Sequence, residues 1–350
     1  MAKKTKNQKT AEKMDYAAEV RALKAEGAQS VYLLSGDEDY LRESFITELR
    51  KVCVNEATAD FDMRLIDGLA DMRELREAVG MVPFMSERSL VLVRNFDVNK
   101  CRDAQAEELK EILSDLPDYC TIVFVLPIDY EADGRLTALK NIKKYAKCLE
   151  FTAQGEALLV QWISRRFAAQ SKRISREDAE YLMFLSGTLM NQLIPEIEKL
   201  SSYAAGETVT RQDIQAVANR LPEADVFEMV DDLSRREFDK AAFRMATLLR
   251  NKEHPIKLLA VIGLQMRRLY AARLVLDGKA DREFLAKSFN LRFDFQIRNM
   301  LNAARGFTTA QAARAVELCA ETDYSMKSSS EDDEALLKSF LIRFAAEVCA

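Results

Sequence analysis

"LLSGDEDYLRES", residues 33–44, runs from an apolar segment into a glycine and then into the start of a helix. A nucleotide-binding domain keeps its phosphate loop at such a strand–glycine–helix junction. Reading this stretch therefore decides whether the chain carries a nucleotide site or only its scaffold. Aligned from Gly36, the pattern Gly-x-x-x-x-Gly-Lys-Ser/Thr puts Leu41 at the second glycine, Arg42 at the lysine and Glu43 at the hydroxyl that holds magnesium. Asp37, Glu38 and Asp39 complement the dipole of a helix N-terminus but would repel a triphosphate. A phosphate cradle needs free backbone N–H groups and little negative charge. The strand that should end in metal-binding acids is missing too. LVLV (90–93) ends in Arg94 and Asn95, and IVFVL (122–126) ends in Pro127. The expectation is an ATPase scaffold without the chemistry, with no cofactor and no metal.

Outward from this turn, strands alternate with helices to about residue 151. Candidate strands are 31–35, 61–66, 89–93, 120–126 and 148–151. The apolar runs at 89–93 and 120–126 suit strands buried on both faces of a parallel sheet. Leu41, Phe45, Leu49 and Val52 share one helix face, and Leu109, Ile112, Leu113 and Leu116 share another. Such alternation predicts an α/β domain. After residue 152 the strand signals stop. Helices are expected over 154–170, 175–186 and 188–204, with Ser175 and Thr210 as N-caps each followed by an acid three residues on. From 223 the pattern is helical throughout: Phe238, Ala241, Ala242, Met245, Leu248 and Leu249 keep one face, and Leu337, Phe340, Leu341, Phe344 and Val348 another. The expected domains are a disordered basic tail (1–14), an α/β domain (15–151), a small helical domain (152–222) and a larger all-α domain (223–350).

Composition limits the functions available. The 350 residues hold 11 glycines and 6 prolines, as a mostly helical chain does. No apolar run approaches the roughly 18 residues of a membrane span, and the N-terminus has no apolar signal core. Six scattered cysteines without a Cys-x-x-Cys pair read as idle thiols of a reducing cytoplasm. The single histidine, His254, precedes Pro255 and reads as a helix-start residue, which disfavours catalytic triads and histidine metal sites. A net charge of −5 speaks against a chain that grips DNA alone.

Between a helix over 71–79 and the strand at 89 lies "GMVPFMSER", 80–88. Gly80 ends the helix and Pro83 prevents its continuation. Met81, Val82, Pro83, Phe84 and Met85 are five apolar residues in succession in a connection, so they are either tucked under the sheet or presented to a partner. The residues alone favour tucking. Arg165, Arg166, Lys172, Arg173 and Arg176, with Arg267, Arg268 and Arg273 further on, read first as solvated faces or snorkelling side chains.

Five segments in order, VYLLSGDEDYLRES (31–44), PFMSERSLVLVRNFD (83–97), IPEIEKLSSYAAGETVT (194–210), DVFEMVDDLSRREFDKAAFRMATLL (225–249) and ETDYSMKSSSEDDEALLKSFLIRF (321–344), resemble the DNA polymerase III delta subunit family. The resemblance spans nearly the whole chain from about residue 29. It implies a clamp-loader subunit with an AAA+-like (RecA-like) domain lacking a functional phosphate loop, a small helical lid and a helical collar. The implied partners are the sliding clamp (beta subunit), gamma/tau and delta-prime type subunits in a hetero-pentamer, and primer–template DNA inside that ring. The sibling subunits would handle ATP, and polymerase activity would apply by holoenzyme membership alone, at a cytoplasmic, nucleoid-associated replisome. The family's clamp-binding pair, typically leucine–phenylalanine, falls on Pro83 and Phe84, with Val82, Met85 and Met81 beside it; the proline departs from the family's leucine. This reverses the tucked reading of 81–85. The resemblance also makes Arg165, Arg166, Lys172, Arg173, Arg267 and Arg268 candidate phosphate contacts. The competing readings are an active AAA+ ATPase or nucleotide-handling enzyme with a divergent site, and an autonomous DNA-binding protein.

Overall fold

The protein is described by a computed structural model covering residues 14–68, 71–291 and 293–349. The basic tail expected over 1–14 lies, apart from Met14, outside these residues. The chain divides into two compact units, with the break between Ala153 and Gln154.

The first unit runs α1 (Tyr16–Glu26), β1 (Val31–Ser35), α2 (Asp39–Cys53), α3 (Ala59–Asp62), β2 (Met63–Asp67), α4 (Met72–Val79), β3 (Ser89–Arg94), α5 (Asp103–Ser114), β4 (Cys120–Val125), α6 (Thr137–Tyr145) and β5 (Lys147–Glu150). The strands form one parallel sheet in the order β2-β3-β4-β1-β5. β4 is buried along its whole length and β3 up to Arg94, as their uninterrupted apolar runs require. Strands β2 and β5 lie at the edges and each buries a single residue, Ile66 and Leu149. Val31, Leu33, Val91, Val93, Ile122 and Phe124 pack with Leu75, Leu109, Ile112, Leu139 and Ile142 of α4, α5 and α6. Tyr32, pointing the other way, meets Phe45 of α2 edge-to-face with ring centroids 5.8 Å apart. On α2, Leu41, Phe45, Leu49 and Cys53 are buried while Val52 is only half-buried.

The second strand begins two residues later than the sequence suggests. Residues 59–62 are helical, and Asp62 accepts the Thr58 hydroxyl at 2.9 Å instead of opening the strand. Such local side-chain bonds compete with sheet pairing.

The second unit begins with α7 (Glu156–Ala169), β6 (Arg173–Ile174), α8 (Arg176–Ser186), α9 (Met190–Tyr203), β7 (Thr208–Val209) and α10 (Arg211–Val217). The β6–β7 pair corrects the expectation that strands stop at 152, although two residues each are too short to carry an alternating pattern. Ser175 accepts from the Asp178 N–H, and Thr210 forms a capping box with Asp213. Then follow α11 (Pro222–Ser234), α12 (Phe238–Arg250), α13 (Pro255–Leu276), α14 (Arg282–Ser288), α15 (Asp294–Ala304), α16 (Thr309–Ser328) and α17 (Asp333–Arg343). His254 is the N-cap residue of α13. Long α13 buries Leu258, Leu259, Ile262, Met266 and Leu269 at the centre of this helical core. On α12, Ala241, Met245 and Leu248 face that core, whereas Ala242 is exposed, outside the face predicted for it. Among the described residues no helix is long and apolar enough to cross a membrane.

Candidate protein-docking site

The turn after β1 closes on its own domain. Gly36 has φ +106°, and a Cβ there would lie 2.1 Å from the Phe151 carbonyl oxygen, so only glycine fits. The Phe151 N–H donates to Ser35 O at 2.8 Å, the Glu38 N–H donates to Phe151 O at 2.9 Å, and the Ala153 N–H donates to Asp37 Oδ1 at 3.1 Å. Arg42, at the position of the phosphate-loop lysine, is buried. It donates to Leu126 O at 3.0 Å, past the end of β4, and to the Asp39 carboxylate. In open parallel sheets a ligand crevice opens at the carboxyl ends of the strands, and here Arg42 fills that place. Glu43, at the hydroxyl position, takes both arms of Arg94 at 2.6 Å each. Arg94 ends β3, where a metal-binding acid would stand, and the bond from Glu43 raises its pKa above the ordinary arginine value. Leu41 is buried in the α2 core. Among the described residues, no cluster of three or more His, Cys, Asp or Glu side chains could hold a metal ion.

The 80–88 connection is built in the opposite sense, outward. α4 ends at Gly80, and Met81 and Pro83 are half-buried, while Val82, Phe84 and Met85 are 71%, 72% and 66% exposed. Apolar side chains presented singly are ordinary on a surface; three large ones within four residues are not. The Phe61 ring of α3 lies 5.9 Å from that of Phe84 and is itself 64% exposed, so two aromatic rings stand together. In sequence Phe61 falls in the candidate strand 61–66, which hides its place beside the loop.

One carboxylate fixes this loop. Asp62 accepts from the backbone N–H groups of Phe84, Met85 (3.4 Å) and Ser86 (3.1 Å), and from the hydroxyls of Ser86 and Thr58 (2.9 Å). The Ser86 hydroxyl in turn accepts the Asn55 N–H at 2.8 Å. These bonds, the Ser86 hydroxyl first and the Phe84 N–H next, hold the Asp62 carboxyl at about 2, well below its ordinary value. Asp62 escaped the sequence analysis: it lies 22 positions before Phe84, with no motif to join them.

The basic residues divide. Lys172 donates to Ala204 O at 2.6 Å and to Gly206 O at 2.7 Å, holding a loop. Arg176 pairs with Glu156 and Glu180, and Arg273 with Asp277. Arg166 stacks 4.8 Å over Trp162. Arg268 is half-buried, with its guanidinium 6.0 Å from the Phe289 ring and its pKa lowered by burial. Arg165, Arg173 and Arg267 are exposed.

Comparison with known proteins follows the same order along the chain. Residues 32–152 match the family described as DNA polymerase III, delta subunit, and residues 223–344 match DNA polymerase III delta subunit, C-terminal domain. A Bacillus subtilis relative, DNA polymerase III subunit delta, is 27% identical over 333 residues, 92% of this chain and 95% of its own. An Aquifex aeolicus relative, a probable DNA polymerase III subunit delta, is 20% identical over 322 residues, 89% of this chain and 90% of its own. Among solved structures, the DNA clamp loader delta protein of Bacillus subtilis shares the fold, with a TM-score of 0.56 at 23% identity over 95% of this chain and 100% of that one.

Proposed function

The chain belongs to the DNA polymerase III delta subunit family, the delta subunits of the clamp loader, and from that premise we propose that its 81–85 loop seats in a pocket of the ring-shaped sliding clamp. The observation that carries this reading is the exposure of Val82, Phe84 and Met85 on a loop tied down through its backbone. Phe84 is the anchor. Burying such a ring in a partner pocket contributes about 1.5–3 kcal/mol, and aromatic anchors commonly dominate an interface. Met81 and Met85 adapt around it. Pro83 is half-buried, so the second exposed contacts are Val82 and Met85, which flank the Pro83–Phe84 pair.

A protein shifts a ring from closed to open only by binding the open form more tightly. Seated at the clamp, the loop favours a subunit shape that cannot close, and helps open the ring for loading onto primed DNA. Timing comes from ATP on sibling subunits of a hetero-pentamer, which includes gamma/tau and delta-prime type neighbours, at the cytoplasmic replisome. This chain contributes no bond-making step, and polymerase activity belongs to the holoenzyme. Exposed Arg165, Arg173 and Arg267 are the basic candidates that remain available to the phosphates of primer–template DNA.

The test is surface plasmon resonance between this chain and the sliding clamp of the same organism, without nucleotide. Wild type should bind, and Phe84→Ala should bind at least tenfold more weakly, a loss of about 1.4 kcal/mol. Equal binding by the two would remove the loop from the clamp interface.

A further inference from the structure

We propose that Asp62 is the positioning residue of the docking loop: its carboxylate gathers three consecutive backbone N–H groups and so holds Phe84 and Met85 outward for a protein partner. The inference rests on the docking role of Phe84.

Exposed apolar side chains gain nothing from standing in water, so a loop that presents them must be held by its backbone. Consecutive N–H groups converging on one anion form such a hold, and here the anion is supplied by the chain itself. The Phe84, Met85 and Ser86 N–H groups all donate to Asp62. The hydroxyls of Thr58 and Ser86 complete the carboxylate's partners, and Asn55 braces Ser86 from the α2–α3 connection. At its two ends the loop is held differently, by Met81 N–H on Ala78 O and by Arg88 N–H on Cys53 O. Asp62 thus governs the middle, where the exposed side chains are. It also ends the short helix that carries Phe61, so one residue sets the loop and lies next to the second ring. A loop already in its bound shape loses less freedom on association. Asp62 acts through Phe84 and Met85 and needs no contact with the partner.

The test uses the full chain. In Asp62→Asn the side chain keeps its shape but loses its charge, and one acceptor oxygen becomes a donor facing donors. Hydrogen–deuterium exchange at 84–86 should quicken at least tenfold with the β3 and β4 amides unchanged, and affinity for the clamp should fall at least fivefold. In a Phe84→Ala background the same substitution should cost clearly less than in wild type, because the main side chain it positions is gone. A general loosening of the fold would instead subtract its full effect in both backgrounds and quicken exchange across the sheet. Unchanged exchange at 84–86, or unchanged affinity while Phe84→Ala still weakens binding, overturns the positioning role and leaves the docking site standing. Binding indifferent to Phe84→Ala overturns the docking site itself. If Asp62→Asn does not fold, Thr58→Ala with Ser86→Ala removes two of the carboxylate's donors and keeps the charge. Three- to tenfold faster exchange at 84–86 then supports the role, and unaltered exchange defeats it.

Discussion

Phe84 and Phe61 stand 5.9 Å apart and are both largely exposed, as the proposed docking surface requires. Interface energy concentrates in a central anchor and thins outward. Phe61→Ala is therefore expected to weaken clamp binding roughly two- to fivefold, less than Phe84→Ala, in the same resonance assay. Asp62 gives a pH signature. Its carboxyl titrates near 2 in the folded chain against an ordinary 3.8, so its stabilising effect is complete above the ordinary value and lost as pH falls from there through 2. A carbon-detected NMR titration should place its midpoint near the lower value, and Asp62→Asn should flatten the acid limb of the stability profile. The thiols offer a separate readout. Burial pushes Cys53 up to about 11 and Cys319 up to about 12; partial burial raises Cys148 as well, but its side chain is exposed to reagent. Because the thiolate is the nucleophile, iodoacetamide at pH 8 should modify Cys148 in the folded chain and reach Cys53 and Cys319 only on unfolding. At this scale the sequence was readable where chemistry is local. Five apolar residues in succession mark the Phe84 loop in the sequence, and the ordered family segments imply that it faces outward. Asp62 and Phe61 needed the tertiary fold, since nothing in residues 58–62 says that a loop two elements later will lie against them.

Elements carry the contrast between a closed turn and an open loop. The turn after β1 and the first turns of α2 direct a glycine, an arginine and a glutamate to contacts within the domain: Gly36 to the Phe151 backbone, Arg42 to Leu126, Glu43 to Arg94. Gly36→Ala must accept a strained φ and a 2.1 Å approach, and should lower stability by about 1–3 kcal/mol from strain alone, with the steric overlap adding to it, read as a fall in Tm. The substitutions visible in the sequence at 41–43 foretold a turn unlike a phosphate loop. They did not foretell that Arg42 would point inward or that Glu43 would reach Arg94, because side-chain direction follows from strand order. Strand positions were legible to within one residue for β1, β3, β4 and β5, and in the first three the apolar runs match the burial. The second strand slipped because the Thr58–Asp62 bond keeps 59–62 helical, and the β6–β7 pair is shorter than one period of any pattern.

For the molecule as a whole, the basic residues are the least legible feature, since a run of arginines looks the same whether it is solvated or paired. Within the second unit Arg298 of α15 reaches buried Glu180 of α8 at 2.5 Å, and the Phe295 N–H donates to Glu156 at 3.4 Å, tying the first helices of that unit to a later one. The boundary expected at 222/223 falls inside this unit, at the start of α11. Arg298→Ala should lower the unfolding free energy of this unit by about 0.5 kcal/mol, read as a lower urea midpoint; the loss stays modest because the pair is half-exposed and Arg176 still serves Glu180. Replacing Arg165, Arg173 and Arg267 by glutamine should lower the slope of log K against log salt for primed-DNA binding by the assembled loader. The same replacement at Arg273, which is paired with Asp277, should leave that slope alone. One further consequence comes from the edge of the sheet. β2 has a neighbour on one side only, and it directly follows the helix that bears Phe61. An unpaired strand edge beside uncovered rings is a place where identical chains can adhere. Arg64 and Asp67 on that strand and the net charge of −5 oppose it. The surface proposed to meet the clamp is therefore also the subunit's colloidal weak point: concentrated alone at high salt it should scatter light before it melts, and adding the clamp should clear the solution.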